Sequence, residues 1–150
     1  MSPVYYGNLL KPKEVKSEPN VQFQSDSESL WSLIFTSPDD NLLEKDSEMI
    51  HWFIGNIPGN DVKKGEEIVD YVQPIPPKGT GFHRYCFVLY KQNKNLSLQE
   101  RNFKTFDFYK EFEDDLTPAE MKNPIYQYEF PKPYVRPQQY FPHLRPFNSL

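Results

Sequence analysis

Two histidines and a tyrosine are the residues of this chain best suited to bind a small anion. His51 and His83 each stand at the start of an apolar run, and Tyr85 follows His83 by two residues. In an extended strand this spacing places His83 and Tyr85 on one face. If the two runs are neighbouring strands, the imidazoles, the phenol and the backbone N–H groups of the glycine-rich turn before His83 would form a donor-rich hollow, with Pro77 as its wall.

For each histidine taken alone, a plain position at the edge of an apolar core is the commoner case. The functional interpretation requires the two to meet, and the sequence leaves both interpretations open. Metal binding is not expected, because the three histidines lack the close spacing of a zinc site and there is no Cys-x-x-Cys. No motif brings together a nucleophile, a base and an orienting group, so we expect neither an enzyme nor a cofactor.

Length and charge exclude several classes of protein. The 150 residues suit one domain, and 17 basic against 21 acidic residues give a net charge of -4, which argues against a DNA-coating protein. The single cysteine, Cys86, excludes an internal disulfide and favours a reducing compartment. No apolar run approaches the roughly 18 residues that a membrane span requires.

Short apolar clusters separated by turn residues predict a mainly β, sandwich-like fold. Along 30–36 the residue types alternate, so one face of that strand should be fully apolar. The predicted strand clusters are Val21–Phe23, Leu30–Thr36, Trp52–Ile57, Ile68–Val72 and Tyr85–Tyr90. The residues expected to be buried are Leu33, Phe35, Phe53, Ile57, Phe87 and Leu89.

Helical signals are few. Phe103, Phe106, Tyr109 and Phe112 fall near helical spacing and predict one short amphipathic helix. The segment 117–120 reads Thr-Pro-Ala-Glu, a good helix start, yet an Asn-Pro pair follows at 123–124 and would end the helix almost at once. The two signals conflict, and the sequence alone does not resolve them.

The C-terminal segment differs in composition from the rest. From residue 117 onward lie seven of the chain's 15 prolines, with four basic and two acidic residues. This density of proline favours an extended path, so we expect a domain over 1–116 and an extended tail over 117–150. A plain disordered terminus is the alternative. Candidate contacts to RNA or protein are Tyr134, Arg136, Tyr140, His143 and Arg145.

Three segments of the chain follow a known family pattern in order: SLWSLIFTSPDD, HWFIGNIPGND and DYVQPIPPKGTGFHRYCFVLYKQ. With them, most of residues 3–112 resemble the phosphatidylethanolamine-binding protein family. The resemblance implies a β-sandwich with short helices and a shallow anion pocket, whose residues match His51, Pro77, His83 and Tyr85. The family's first pocket aspartate is Ser37 here, so the histidines would lack their carboxylate partner, the pocket would be degenerate, and phospholipid headgroups are not expected to bind.

A closer resemblance is to the branch of this family found in the large subunit of the mitochondrial ribosome. It rests on LLEKDSEMIHWFIGNIPGN, RNFKTFDFYK and the tail EFPKPYVRPQQYFPHLRPF. It implies a structural role in the mitochondrion, with ribosomal proteins and ribosomal RNA as partners; a soluble headgroup- or anion-binding protein is the alternative. The resemblance also implies a shortened chain that lacks the family's last core strand and closing helix, and the branch's long N-terminal region and transit peptide.

Overall fold

The computed structural model describes residues 9–41, 47–98 and 104–119, and its main feature is an antiparallel sheet of five strands. A seven-residue helix, α1 (Thr105–Glu111), and 3-10 turns at Pro12–Val15 and Val62–Lys64 are the other regular elements of those residues. The predicted mainly β fold is confirmed. In the order β3-β2-β1-β4-β5 across the sheet, the strands are β1 (Leu30–Ser37), β2 (Met49–Pro58), β3 (Glu66–Val69), β4 (Cys86–Gln92) and β5 (Leu116–Pro118).

β1 is the central strand, and both of its faces are covered. Every residue from Trp31 to Ser37 is buried. The apolar face predicted from the alternation is confirmed, because Trp31, Leu33 and Phe35 form one core cluster with side chains of β2. The other face is mixed: Ile34 belongs to a second apolar cluster, while the hydroxyl of Ser32 donates to Gln92 Oε1 at 2.6 Å.

The first face of the sheet is covered by irregular chain rather than by a second hydrogen-bonded sheet, as far as residues 9–41, 47–98 and 104–119 show. Val21, Phe23 and Tyr71 pack against the core cluster there, and the rings of Phe23 and Trp31 meet edge to face at 5.3 Å. The strand expected over 21–23 is therefore wrong, although its side chains do pack inward. The other four predicted clusters overlap β1 to β4.

The second face is covered by α1 and by the segment that follows β4. Phe108 of α1 and Leu96 are buried there with Phe53. The helix is confirmed, and Tyr109 and Phe112 of its predicted apolar stripe do pack against the second cluster. Phe106 does not, since it is 64% exposed, and Phe108 is the residue buried in the core. Phe103 lies outside the described residues.

A carboxylate distant in sequence sets the start of α1. The backbone N–H of Thr105 donates to Glu48 Oε1, and the Thr105 hydroxyl donates to Oε2 at 2.8 Å. The same Glu48 Oε2 accepts a hydrogen bond from the Thr36 hydroxyl at 2.6 Å. Glu48 thus satisfies orphan donors at the helix start and ties the helix to β1, which fixes the helical face that points inward.

The segment 117–118 forms a strand instead of the helix start that its residue types suggested. β5 pairs with β4, and the backbone N–H of Ala119 donates to Leu89 O at 3.0 Å. β5 therefore crosses the boundary expected at residue 116, so the sheet takes in the first residues of the predicted tail. The remainder of that tail, where a last core strand and closing helix were expected to be missing, lies outside the described residues.

Four of the six residues expected to be buried are at most 5% exposed: Leu33, Phe35, Phe53 and Ile57. Phe87 and Leu89 are only partly buried, although they pack against the core cluster. Both lie on β4, whose outer neighbour is the three-residue β5, so this side of the sheet is less completely covered.

The two phenylalanines of α1 provide a test of the packing. Phe108→Ala should lower the free energy of unfolding by about 3–5 kcal/mol because it opens a cavity in the second apolar cluster. Phe106→Ala, in the same helix but exposed, should change it by less than about 0.5 kcal/mol. Urea denaturation followed by tryptophan fluorescence measures both. Equal effects of the two substitutions would contradict the observed helix phase.

Candidate functional site

Strand topology brings the candidate residues together. β1 runs antiparallel to both of its neighbours, so its C-terminal end meets the beginnings of β2 and β4. Ser37 pairs with Met49, and Thr36 pairs with Cys86. His51, at the start of β2, and His83, just before β4, therefore flank the turn that follows β1.

The turn after β1 carries two adjacent carboxylates. The Ser37 hydroxyl accepts a hydrogen bond from the backbone N–H of Asp39 at 3.2 Å, which shapes the turn. Asp39 and Asp40 then take different partners: Asp39 binds Arg84, whereas Asp40 binds the candidate histidines. The turn thus supplies one outer and one inner carboxylate.

Asp40 is the centre of the site. Its Oδ2 lies 2.6 Å from His51 Nε2, and its Oδ1 lies 2.5 Å from His83 Nδ1. The Tyr85 hydroxyl donates to the same Oδ1 at 2.9 Å. The side chains of His51, His83 and Asp40 are 2%, 3% and 8% exposed, so the cluster is almost fully removed from water. One carboxylate therefore occupies the two imidazoles and the phenol at once.

The outer nitrogens of both imidazoles face hydrogen-bond acceptors. His51 Nδ1 lies 2.8 Å from Val72 O, a carbonyl that can only accept, so Nδ1 carries a proton. The Thr80 hydroxyl donates to Pro77 O at 2.7 Å, so its oxygen accepts from His83 Nε2, also at 2.7 Å. Both outer nitrogens are thus hydrogen-bond donors.

The inner nitrogens of both imidazoles face the carboxylate oxygens of Asp40 at short distances. A buried carboxylate needs such partners, since an unpaired charge in this position would be costly.

The glycine-rich turn before His83 serves this arrangement. Gly79 and Gly81 have positive φ angles of 87° and 85°, which favour glycine over other residues. The tight turn brings the Thr80 N–H to 3.2 Å from Pro77 O and directs the Thr80 hydroxyl at His83. The turn therefore orients an imidazole; neither glycine has any other heavy atom within 4 Å of where a Cβ would lie.

Phe35 packs beneath the site. Its ring lies 5.7 Å from the His51 ring and 5.9 Å from the Tyr85 ring, and it stacks on Phe87 at 4.3 Å. The His51 and Tyr85 rings meet edge to face at 5.3 Å. The apolar floor keeps water from the polar cluster above it, which strengthens its hydrogen bonds.

The outer carboxylate clamps the chain that carries His83. Arg84 donates to Asp39 Oδ2 from Nε at 2.9 Å and from its backbone N–H at 2.7 Å, and its Nη2 donates to Oδ1 at 2.7 Å. These hydrogen bonds hold the pKa of Asp39 below its ordinary value, and partial burial opposes them. The clamp fixes His83 and Tyr85, on either side of Arg84, against the turn after β1.

Burial raises the pKa of the Tyr85 phenol well above its ordinary value, and the hydrogen bond to Asp40 raises it further. The phenol is therefore a permanent donor to the carboxylate at physiological pH.

Four of the predicted residues lie at the site, but its central residue was not among those predicted. His51, His83 and Tyr85 meet as predicted, and Ser37 lies at the end of the adjoining strand, where it shapes the turn. Pro77 is exposed, and its carbonyl accepts the hydrogen bonds of Thr80. The expectation that the histidines lack a carboxylate is wrong, because Asp40 supplies it three residues after Ser37. The Asp39-Asp40 doublet at a strand end was the signal that could have identified it.

The tail candidates Tyr134, Arg136, Tyr140, His143 and Arg145 lie outside the described residues and stay predictions. Within the described ranges, no group of three or more His, Cys, Asp or Glu is placed to hold a metal ion. Among the helices of the same ranges, none has the length and hydropathy to cross a bilayer.

The Asp39–Arg84 clamp should make stability depend on acidic pH. Because the folded pKa of Asp39 is lowered, its contribution is present above its ordinary value of 3.8 and is lost as pH falls through the folded value. Urea denaturation between pH 6 and 2.5 should show that Asp39→Asn reduces stability at pH 6 and flattens the decline below about pH 4. A decline as steep as that of the wild type would contradict the role of the clamp.

Tyr85 should give the opposite dependence at alkaline pH. A raised folded pKa means that its contribution is present below the ordinary value of 10.0 and is lost as pH rises through the folded value. Tyr85→Phe should therefore make the loss of stability above about pH 10 shallower than in the wild type. Tyr109→Phe, outside the site, is the matched control. If both variants follow the wild-type curve, the Tyr85 phenol does not stabilise the fold in this way.

Comparison with known proteins agrees with this fold. The sequence matches the phosphatidylethanolamine-binding protein family over residues 2–129. It is also similar to a Drosophila melanogaster protein named odorant-binding protein A5, with 32% identity over 100 residues that cover 65% of this chain and 48% of that protein. The chain thus spans about half the length of this relative. The family match covers most of the chain, so the chain belongs to the phosphatidylethanolamine-binding protein family.

Proposed function

We propose that this domain is a structural, non-catalytic module of the mitochondrial large ribosomal subunit, corresponding to the subunit protein numbered thirty-eight. The observation that carries the proposal is the position of Asp40, whose carboxylate takes the inward donors of His51, His83 and Tyr85. A pocket filled from within the chain leaves these donors no capacity for a headgroup phosphate. We infer that the fold serves this protein through its shape and surface.

The sequence supports the ribosomal assignment in particular. The segments LLEKDSEMIHWFIGNIPGN and RNFKTFDFYK resemble the ribosomal branch of the family, and that resemblance supports a mitochondrial location as part of the proposal. The filled pocket agrees with such a role, because a permanent structural component does not need to bind a ligand reversibly.

The C-terminal tail is proposed to make the contacts to the ribosome. Arg136 and Arg145 would pair with phosphates of ribosomal RNA, while Tyr134, Tyr140 and His143 would stack on bases or fill pockets of a neighbouring protein. The excess of basic residues in this segment, within a chain of net charge -4, favours it as the part that meets RNA.

Sedimentation tests the proposal. A tagged form of the full chain, expressed at its natural level in cells of the source organism, should sediment with the large mitochondrial ribosomal subunit on sucrose gradients. It should stay with that subunit when low magnesium separates the two subunits. Recovery only at the top of the gradient, as a free monomer, would contradict the proposal.

A charge-matched pair of variants tests the tail. Replacing both Arg136 and Arg145 by Ala should move the protein toward the top of the gradient and should weaken the salt dependence of association. The control replaces Lys13 and Lys16 by Ala, which removes the same charge from exposed positions near the N-terminal 3-10 turn. An equal loss in both variants would indicate non-specific charge attraction rather than a tail contact.

Headgroup binding is the second candidate function, and one observation favours it: the structure does bring His51, His83 and Tyr85 together in the manner of an anion site. Calorimetric titration with phosphoethanolamine separates the two candidates. We expect no heat of binding at millimolar ligand. Micromolar affinity that is abolished by His83→Ala would favour the binding protein over the ribosomal module.

A further inference from the structure

We propose that Asp40 is a tethered ligand: its carboxylate fills a carboxylate-binding site formed by His51, His83 and Tyr85, and that site accepts a free small carboxylate when Asp40 is removed. The inference rests on one part of the proposed function, namely that a side chain of the protein itself fills the pocket. Ribosomal sedimentation and the anion measurements below are separate, so the failure of either is recognisable.

The donors of the site match the two oxygens of a carboxylate. Oδ1 takes the contact with His83 at 2.5 Å and the phenol of Tyr85 at 2.9 Å, and Oδ2 takes the contact with His51 at 2.6 Å. One imidazole comes from β2 and the other from the segment just before β4, and they bind different oxygens, which suits a planar, two-oxygen anion. A phosphate presents further oxygens, for which the described contacts provide no donor in this cluster.

Each donor is held in place by a contact that does not involve Asp40. The His51 ring is anchored to Val72 O, and the His83 ring to the Thr80 hydroxyl. The Tyr85 ring packs on Phe35 at 5.9 Å. The site is therefore preorganised, and its geometry should persist when the Asp40 carboxylate is taken away.

The tether should keep free anions from competing in the wild type. Asp40 follows Asp39, which Arg84 holds through its side chain and backbone N–H, so the Asp40 carboxylate is held beside its donors. Even a short flexible tether gives an effective concentration of about the millimolar range, and a fixed one gives more. The 8% exposure of the Asp40 side chain also limits access for a competitor.

The atoms that a substitution of Asp40 removes determine which free carboxylate should fit the site. Asp40→Ala removes one carbon and two oxygens, which are the heavy atoms of formate. Asp40→Gly removes the β-carbon as well, which corresponds to acetate. A site built for a carboxylate should therefore bind formate in the alanine variant, and should accept acetate in the glycine variant.

Thermal unfolding with added anions tests the proposal at constant pH and ionic strength. For Asp40→Ala, sodium formate should raise Tm saturably relative to sodium chloride, by about 3–6 °C at ten times its Kd. Acetate should be weaker than formate in this variant and should match or exceed it in Asp40→Gly. The wild type should respond to formate as it does to chloride. Phosphate and phosphoethanolamine should give no saturable rise in any of the three.

Two controls locate the effect. His83→Gln combined with Asp40→Ala should abolish the formate response, because it removes a donor of the site. Asp115→Ala removes a carboxylate paired with Lys94 elsewhere in the fold, and formate should not stabilise that variant. The proposal fails if formate acts no better than chloride on Asp40→Ala, if Asp115→Ala responds equally, or if phosphate exceeds formate.

A measurement on the wild type decides the matter if the Asp40 variants do not fold. Nitrogen-15 NMR of the imidazoles reports on the contacts of His51 and His83 directly. Formate or phosphate at tens of millimolar should leave these signals unmoved, because the tethered carboxylate already holds the donors. A saturable shift of either imidazole would show that Asp40 is displaced and would overturn the proposal.

Discussion

The carboxylate of Asp40 is the interaction on which this part of the molecule depends. It joins the end of β1 to the starts of β2 and β4 by binding His51, His83 and Tyr85 in a nearly dry site. Removing one member of a buried charged pair costs about 3–5 kcal/mol, a large part of the roughly 5–15 kcal/mol that holds a domain together. The surrounding turns therefore hold this carboxylate and its hydrogen-bond donors in position.

The sheet makes such a junction possible. Because β1 is central and antiparallel to both neighbours, its last residues lie beside the beginnings of β2 and β4. The apolar floor provided by Phe35 and Phe87 excludes water there, and the Asp39–Arg84 clamp closes the outer side. Polar residues at that point must find partners within the protein, and the hydrogen bonds of Asp40 meet this requirement.

Local sequence patterns predicted the parts of this structure that depend on neighbours in the chain. The alternation of β1, the spacing of His83 and Tyr85, and the existence of α1 are of this kind. Two errors have a non-local cause. The start of α1, where Phe108 rather than Phe106 is buried, is held by hydrogen bonds to Glu48, 57 residues from Thr105. The carboxylate of the site comes from Asp40 rather than from position 37, because the conformation of the turn, which no residue pattern specified, decides which side chain reaches the histidines.

A pocket that is filled by one of the protein's own side chains changes how the fold is stabilised. A site that binds a free ligand must leave its donors exposed when empty, and unsatisfied buried donors lower stability. Here Asp40 satisfies His51, His83 and Tyr85 without a ligand, so the fold is complete at any concentration of anions. The same residues that would mark a binding site thereby act as a cross-link between strands. This arrangement makes the stability of the junction independent of a bound ligand.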